Sequence, residues 1–159
     1  MNFRVGIGYD VHALQEGLDF WLCGIKIDHI KGCVAHSDGD TAIHALCDAL
    51  LGALALGDIG KHFPDTSQEF KGIDSKILLK RVVELIGQKG YAIGNVDIVV
   101  SLQKPKIGGY IAEMQRVLAG IIGIDIDCVS IKATTTEKLG FVGREEGVEA
   151  RAIAMLYKM

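Results

Sequence analysis

Asp10 and His12 stand two residues apart in FRVGIGYDVHAL (residues 3–14), a stretch that otherwise reads as a buried strand. Side chains two apart on a strand share a face. A carboxylate and an imidazole are costly to bury without partners, so something on that face must need both. Further on, Asp40, His44 and Asp48 recur every four residues and share one stripe of a helix. That stripe lies opposite much of the apolar one formed by Ile43, Cys47, Leu50 and Leu54. Asp10, His12 and His44 together would offer a carboxylate and two imidazoles with a fourth position open, the donor set of a catalytic rather than a structural zinc. Asp48, one turn beyond His44, would orient that ring from behind. A second reading stands beside this one: ordinary hydrogen-bonded histidines, Asp10 as a strand-end cap, and Asp38 and Asp40 as helix caps. Spacing alone leaves both open.

Three loops carry polar groups suited to a phosphorylated ligand. LGDIGKHFPDTS (56–67) offers carboxylates and exposed amides after a helix, though a plain helix exit has the same composition. QKPKIGG (103–109) sets Lys104 and Lys106 where a strand ends and a helix begins, a place that favours an anion or merely a solvated loop. KATTTEK (132–138) supplies three hydroxyls and Glu137, which could reach a divalent cation; Thr134-x-x-Glu137 also fits a capping box.

The elements that must position these groups read as α+β. Strands are expected at about 2–9, 19–27, 95–103, 128–133 and 148–158, and helices at about 40–56, 74–88 and 109–122. In the last strand Val148, Ala150, Ala152, Ala154 and Leu156 form one apolar face, and Ile153, Met155 and Tyr157 the other. Helices would cover one face and another subunit the second.

At 159 residues the chain is expected to be one domain over 1–159, and its 49% hydrophobic content leans towards an oligomer. A net charge of -3 and few aromatics give no footprint for nucleic acid. The longest apolar run, ALLGALALG (49–57), is too short to cross a bilayer, so no membrane partner is expected. Cys23, Cys33, Cys47 and Cys128 show no metal-finger spacing and suit a reducing compartment. No secretory signal is visible, and a cytoplasmic location is expected.

The ordered motifs GYDVH, HSDGD, DIGKHFPDT, KPK, KATTTEKLGF and GREEG resemble those of the 2-C-methyl-D-erythritol 2,4-cyclodiphosphate synthase family, from about residue 4 to residue 157. The resemblance implies one mostly four-stranded mixed sheet with three helices on one face. It also implies a homotrimer whose sheets face the three-fold axis, with active sites between neighbouring subunits. Asp10, His12 and His44 would hold zinc, and Glu137 a second divalent cation, magnesium or manganese, on the substrate diphosphate. His36 and Thr135 match positions that stabilise the transition state. His36, Ser37 and Asp65 would flank the methylerythritol phosphate, and Asp58 and Gly60 the ribose. Ile59, Phe63, Pro64 and Thr66 belong to the same substrate loop. The cytidine nucleotide would lie on the stretch Leu102 to Gly108, with Pro105, Lys106 and Ile107, and on Ala133, Thr134 and Thr135; Thr136 also counts among the substrate contacts. Phe141, Arg144 and Glu146 match an axial pocket that takes an isoprenoid phosphate; Phe141 and Arg144 also count among the substrate contacts. The implied reaction closes 4-diphosphocytidyl-2-C-methyl-D-erythritol 2-phosphate into a cyclic diphosphate and releases CMP. A zinc phosphodiesterase with Asp48 or Asp38 as base, and a trimeric binder of isoprenoid phosphates through Arg144, are the rival readings.

Overall fold

The computed structural model describes residues 2–159. Strand β1 (Phe3–Glu16) runs well past the end expected near residue 9, so Asp10 and His12 lie inside the strand. Hairpin β2 (Phe20–Leu22) and β3 (Ile25–Ile27) follows, then β4 (Lys31–Cys33). Helix α1 (Thr41–Ala53), the one-turn α2 (Ile59–His62) and α3 (Ser75–Gln88) lead to β5 (Tyr91–Ser101). The chain closes with α4 (Ile111–Ile122), β6 (Val129–Thr134), the one-turn α5 (Gly140–Gly143) and β7 (Gly147–Lys158).

The main sheet has the order β4-β1-β7-β5-β6, five strands rather than the four expected. It is mixed: β5 and β6 run parallel, whereas β7 is antiparallel to both β1 and β5. The extra strand is β4, whose KGC has no apolar alternation to betray it; it pairs with β1 where β7 has ended, at Leu14↔Cys33. The apolar run at 19–27 stays outside the main sheet as the two-stranded hairpin, turning at Cys23 and Gly24, both at positive φ.

Helix α1 lies across β1 and β7, with α3 and α4 beside it on the same face of the sheet. The polar stripe expected along α1 is not realised. All its residues except Asp48 and Gly52 are buried, because the sheet, α3 and the hairpin surround it. The close seat of α1 comes from residues without bulk. Gly6 and Gly8 of β1 pair with Ala154 and Ala152 of β7, and Asp10 pairs with Ala150. A Cβ on Gly6 would lie 1.9 Å from the Ala49 carbonyl oxygen, and one on Gly8 only 1.8 Å from that of Ala45. The helix backbone therefore rests directly on the strand, and its first turn arrives over Asp10 and His12. Leu46, Leu50, Ile98, Met114 and Leu118 fill the interior beside this seat without exposure. Each such burial contributes about 1.5–3 kcal/mol.

On β7, the face formed by Val148, Ala150, Ala152, Ala154 and Leu156 is buried under the helices, as expected. Its other face is open in the single chain. Phe3, Val5, Ile7, Tyr9 and Val11 of β1 join Ile153 and Tyr157 there, and Ile7 is 70% exposed. All four cysteines are free thiols. Among the described residues no helix is long and apolar enough to cross a membrane.

Candidate active site

Asp10, His12 and His44 meet. Asp10 Oδ2 lies 3.0 Å from His12 Nδ1 and 3.1 Å from His44 Nδ1, and the two rings are 5.3 Å apart, tilted by 52°. One potential ligand atom from each residue falls within 4.8 Å of the others. Burial works to raise the Asp10 pKa, but hydrogen bonds and charge from both imidazoles outweigh it and hold the carboxyl at about 2. Burial works to lower that of His44, yet bonding to Asp10 and the charges of Asp10, Asp40 and Asp38 carry it up. The site thus favours an anionic oxygen facing cationic or metal-ligating rings, the chemistry of a divalent-cation centre.

The side chains behind the triad are held by backbone donors. Asp40, wholly buried, caps α1 by accepting from Ile43 N at 3.0 Å and accepts from Cys23 N and Gly24 N at 2.9 and 2.7 Å. It therefore ties the β2–β3 turn to the helix start, as a cap and not as a ligand. Asp38 accepts from Asp40 N, Ser75 N and the Ser75 hydroxyl. The Ser75 oxygen lies 2.9 Å from His44 Nε2, and that of Ser37 lies 3.2 Å from the same atom. Thr41 Oγ1 lies 3.2 Å from His12 Nδ1. The contact expected of Asp48 is made by Ser75 instead. Asp48 accepts from Ile59 N at 2.7 Å, so it secures the loop beyond α1 and forms no hydrogen bond with His44.

The triad opens onto a cleft of about 270 Å³ lined also by Ala35, His36, Ser37, Ile59, Gly60, Phe63, Asp65 and Leu78. The rim is set by α2: Asp58 caps it, accepting from Lys61 N at 3.0 Å, and Phe63 packs edge-on to Phe70 at 5.5 Å. His36 Nε2 lies 3.4 Å from the Ser67 carbonyl oxygen. Asp58, Pro64 and Thr66 belong to this loop but do not line the cleft. Ala35 and Leu78 are lining residues without a sequence signal, being small or apolar in segments that read as turn and core.

A second recess, about 310 Å³, gathers Leu102, Gln103, Pro105, Lys106, Ile107, Gly108, Ile111, Ala133, Thr134 and Thr135. Ile111 is an addition to the expected stretch. The capping box at Thr134-x-x-Glu137 is not formed. Glu137 and Lys138 take positive φ in an exposed turn, Glu137 N donates to Thr135 Oγ1, and Thr136 Oγ1 donates to Leu139 O at 2.7 Å. No helix begins where that box would cap it. Register separates the two recesses. Asp10 pairs with Ala150, Ala150 with Val100, and Val100 with Ala133. Three strand spacings put Ala133 roughly 14 Å from Asp10. Phe141 and Arg144 line neither recess. Arg144 instead forms a two-point bond to Glu146 at 2.9 and 3.2 Å.

Comparison with known proteins matches this geometry to a family. The YgbB family model matches residues 3–157. The 2-C-methyl-D-erythritol 2,4-cyclodiphosphate synthase of Bacteroides fragilis is 56% identical over 159 residues, the whole of both chains. This chain belongs to the YgbB family of cyclodiphosphate synthases. The synthase of Phocaeicola vulgatus is 58% identical over 99% of each chain. Among solved structures, the bifunctional IspDF of Campylobacter jejuni superposes with a TM-score of 0.95 at 41% identity, over 99% of this chain and 42% of that one. The CDP complex of Plasmodium falciparum IspF gives 0.87 at 36% identity over 99% and 97% of the two chains. The enzyme class expected from the motifs is therefore established for this synthase family member.

Proposed function

We propose that this enzyme converts 4-diphosphocytidyl-2-C-methyl-D-erythritol 2-phosphate into 2-C-methyl-D-erythritol 2,4-cyclodiphosphate and CMP in isoprenoid precursor synthesis. The observation that carries the reading is the Asp10–His12–His44 triad open to a cleft, in a chain more than half identical to such synthases. A 2-phosphate oxygen of the substrate attacks its β-phosphorus, the bond from that phosphorus to the bridging oxygen breaks, and CMP leaves with the electron pair. Attacker and target share one molecule, so positioning supplies much of the acceleration and no protein nucleophile is required.

Asp10, His12 and His44 would hold a zinc ion, since an acidic oxygen and two imidazoles fit its preferences. Bound there, a divalent cation would supply charge neutralisation and Lewis acidity towards a phosphoryl oxygen. Glu137, exposed beside the second recess, would hold magnesium or manganese on the diphosphate. His36 and Thr135, one in each recess, are proposed to stabilise charge developing in the transition state. His36, Ser37 and Asp65 would flank the methylerythritol phosphate and Asp58 and Gly60 the ribose, with Ile59, Phe63, Pro64 and Thr66 completing the loop. Leu102, Pro105, Lys106, Ile107, Gly108, Ala133 and Thr134 would hold cytidine, with Thr136 shaping their turn. That solved synthases carry CDP supports a nucleotide site of this kind.

Roughly 14 Å of sheet between the recesses argues that one active site takes its halves from two subunits. The open apolar face of β1 and β7 supports a homotrimer with sheets against the three-fold axis. Phe141, Arg144 and Glu146 would then border an axial pocket for an isoprenoid phosphate. Incubation with the diphosphocytidyl substrate, followed by 31P NMR, tests the proposal: CMP and cyclic diphosphate should appear one to one. A ring-opened phosphate would favour a metal phosphodiesterase instead.

A further inference from the structure

The Ser75 hydroxyl is the second member of a line that runs from His44 away from the cleft. Ser75 is fully buried at the first turn of α3, and Asp38 lies beyond it. Asp38 accepts from Asp40 N at Oδ1 and Ser75 N at Oδ2, at 3.1 and 2.9 Å, and its Oδ1 also takes the Ser75 hydroxyl proton. A carboxylate has no proton to return, so the Ser75 O–H points to Asp38 and leaves lone pairs towards His44 Nε2 at 2.9 Å. Only a protonated Nε2 completes that contact. The lone pair of a neutral His44 ring is then on Nδ1, facing Asp10 Oδ2 at 3.1 Å. A bound cation fills that gap; without one, only a proton on Nδ1, donated to Asp10, can fill it. Ser37 Oγ also approaches Nε2, at 3.2 Å, but it accepts from Gly39 N and sits at the cleft.

We propose that Ser75, locked by Asp38, is a positioning residue that fixes the His44 tautomer and so aims Nδ1 at the metal. The proposal rests on the triad being a metal site. Hydrogen-bond partners behind metal-binding imidazoles act on ring orientation and basicity, and their loss characteristically weakens metal binding about 10- to 100-fold.

Selective 15N-histidine labelling reads the two ring nitrogens of His44 in the zinc-loaded protein. The relay predicts a protonated Nε2 and a zinc-shifted Nδ1; zinc held through Nε2 overturns it, whatever any variant does. Competition with a chromophoric chelator reads Zn2+ affinity. Ser75→Ala should bind zinc about 10- to 100-fold more weakly and give a mixed tautomer signal, while Ser37→Ala, which removes only the longer contact, stays within about threefold of the parent. Zinc affinity unchanged in Ser75→Ala, with His44 still wholly Nε2–H, also overturns the proposal. A parent protein that holds no zinc overturns the metal reading and the relay with it, whereas zinc held through Nδ1 with no loss in Ser75→Ala overturns the relay alone.

Discussion

Gly8 of β1 lies directly beneath Ala45 of α1, so close that an added methyl would stand 1.8 Å from the Ala45 carbonyl oxygen. The contact is with backbone, which cannot swing aside as a side-chain end can. His44 is the residue just before Ala45, and Asp10 is two after Gly8. The seat of the helix and the assembly of the triad are therefore one structural fact. Gly8→Ala should cost at least about 1–3 kcal/mol of stability, the range for overpacking, and should weaken metal retention by displacing α1. Chemical denaturation and bound metal per chain, measured on the same sample, check both halves. Loss of stability with metal retention intact would separate the seat from the site.

Asp40 gives a second prediction. It receives three backbone N–H groups with no exposure, so removing it strands donors in the interior. Asp40→Ala should cost about 2–4 kcal/mol, combining a lost cap with unsatisfied amides. Asp40→Asn, whose amide keeps one acceptor oxygen, should cost less. Thermal melts of the two variants should rank in that order.

The open sheet face yields a third. Ile7 and Ile153 pair across β1 and β7 and are 70% and 48% exposed. If the proposed trimer forms through this face, Ile7→Glu should leave 17.1 kDa monomers on light scattering. Turnover should fall at least tenfold with it, since each monomer keeps both recesses but no longer joins them to a neighbour's. A trimeric Ile7→Glu variant would mean that this face is not the interface.

Glu149 on the same face carries part of the pH dependence. Burial works to raise its pKa, but Arg151 at 2.8 Å, Tyr9 at 3.0 Å and Ser101 lower it below the ordinary carboxylate value. A carboxyl depressed in the folded state contributes stability above its unfolded pKa of about 4.3. That contribution disappears as pH falls through the folded value. The parent should therefore lose stability on acidification below about pH 4.3, and Glu149→Gln should lose less over the same interval. Melting temperatures from pH 6 to pH 3 compare the two.

Much of this was legible in the residues. The Asp10-x-His12 pair and the helical His44 named the triad, and alternation in β5 and β7 gave the sheet's buried face. What stayed hidden had physical reasons. β4 is too short to show a period, and β1 continues beyond residue 9 because its polar residues are satisfied across the fold, which sequence separation conceals. Asp48 was assigned to His44 by helical spacing, but a backbone amide eleven residues on claims it instead. Ser75 reads only as a helix-start residue, since its tie to His44 spans 31 residues. Gly6 and Gly8 sit within a strand pattern, and nothing local in the sequence says that a helix backbone rests on them.

The most direct test of a cation-centred ring closure is metal analysis of the purified enzyme beside His44→Ala. The account predicts about one zinc per chain in the parent, with turnover abolished by chelation and restored by zinc. His44→Ala should be folded but nearly metal-free and inactive. Undiminished cyclic diphosphate formation by metal-stripped parent, or by His44→Ala, would contradict it.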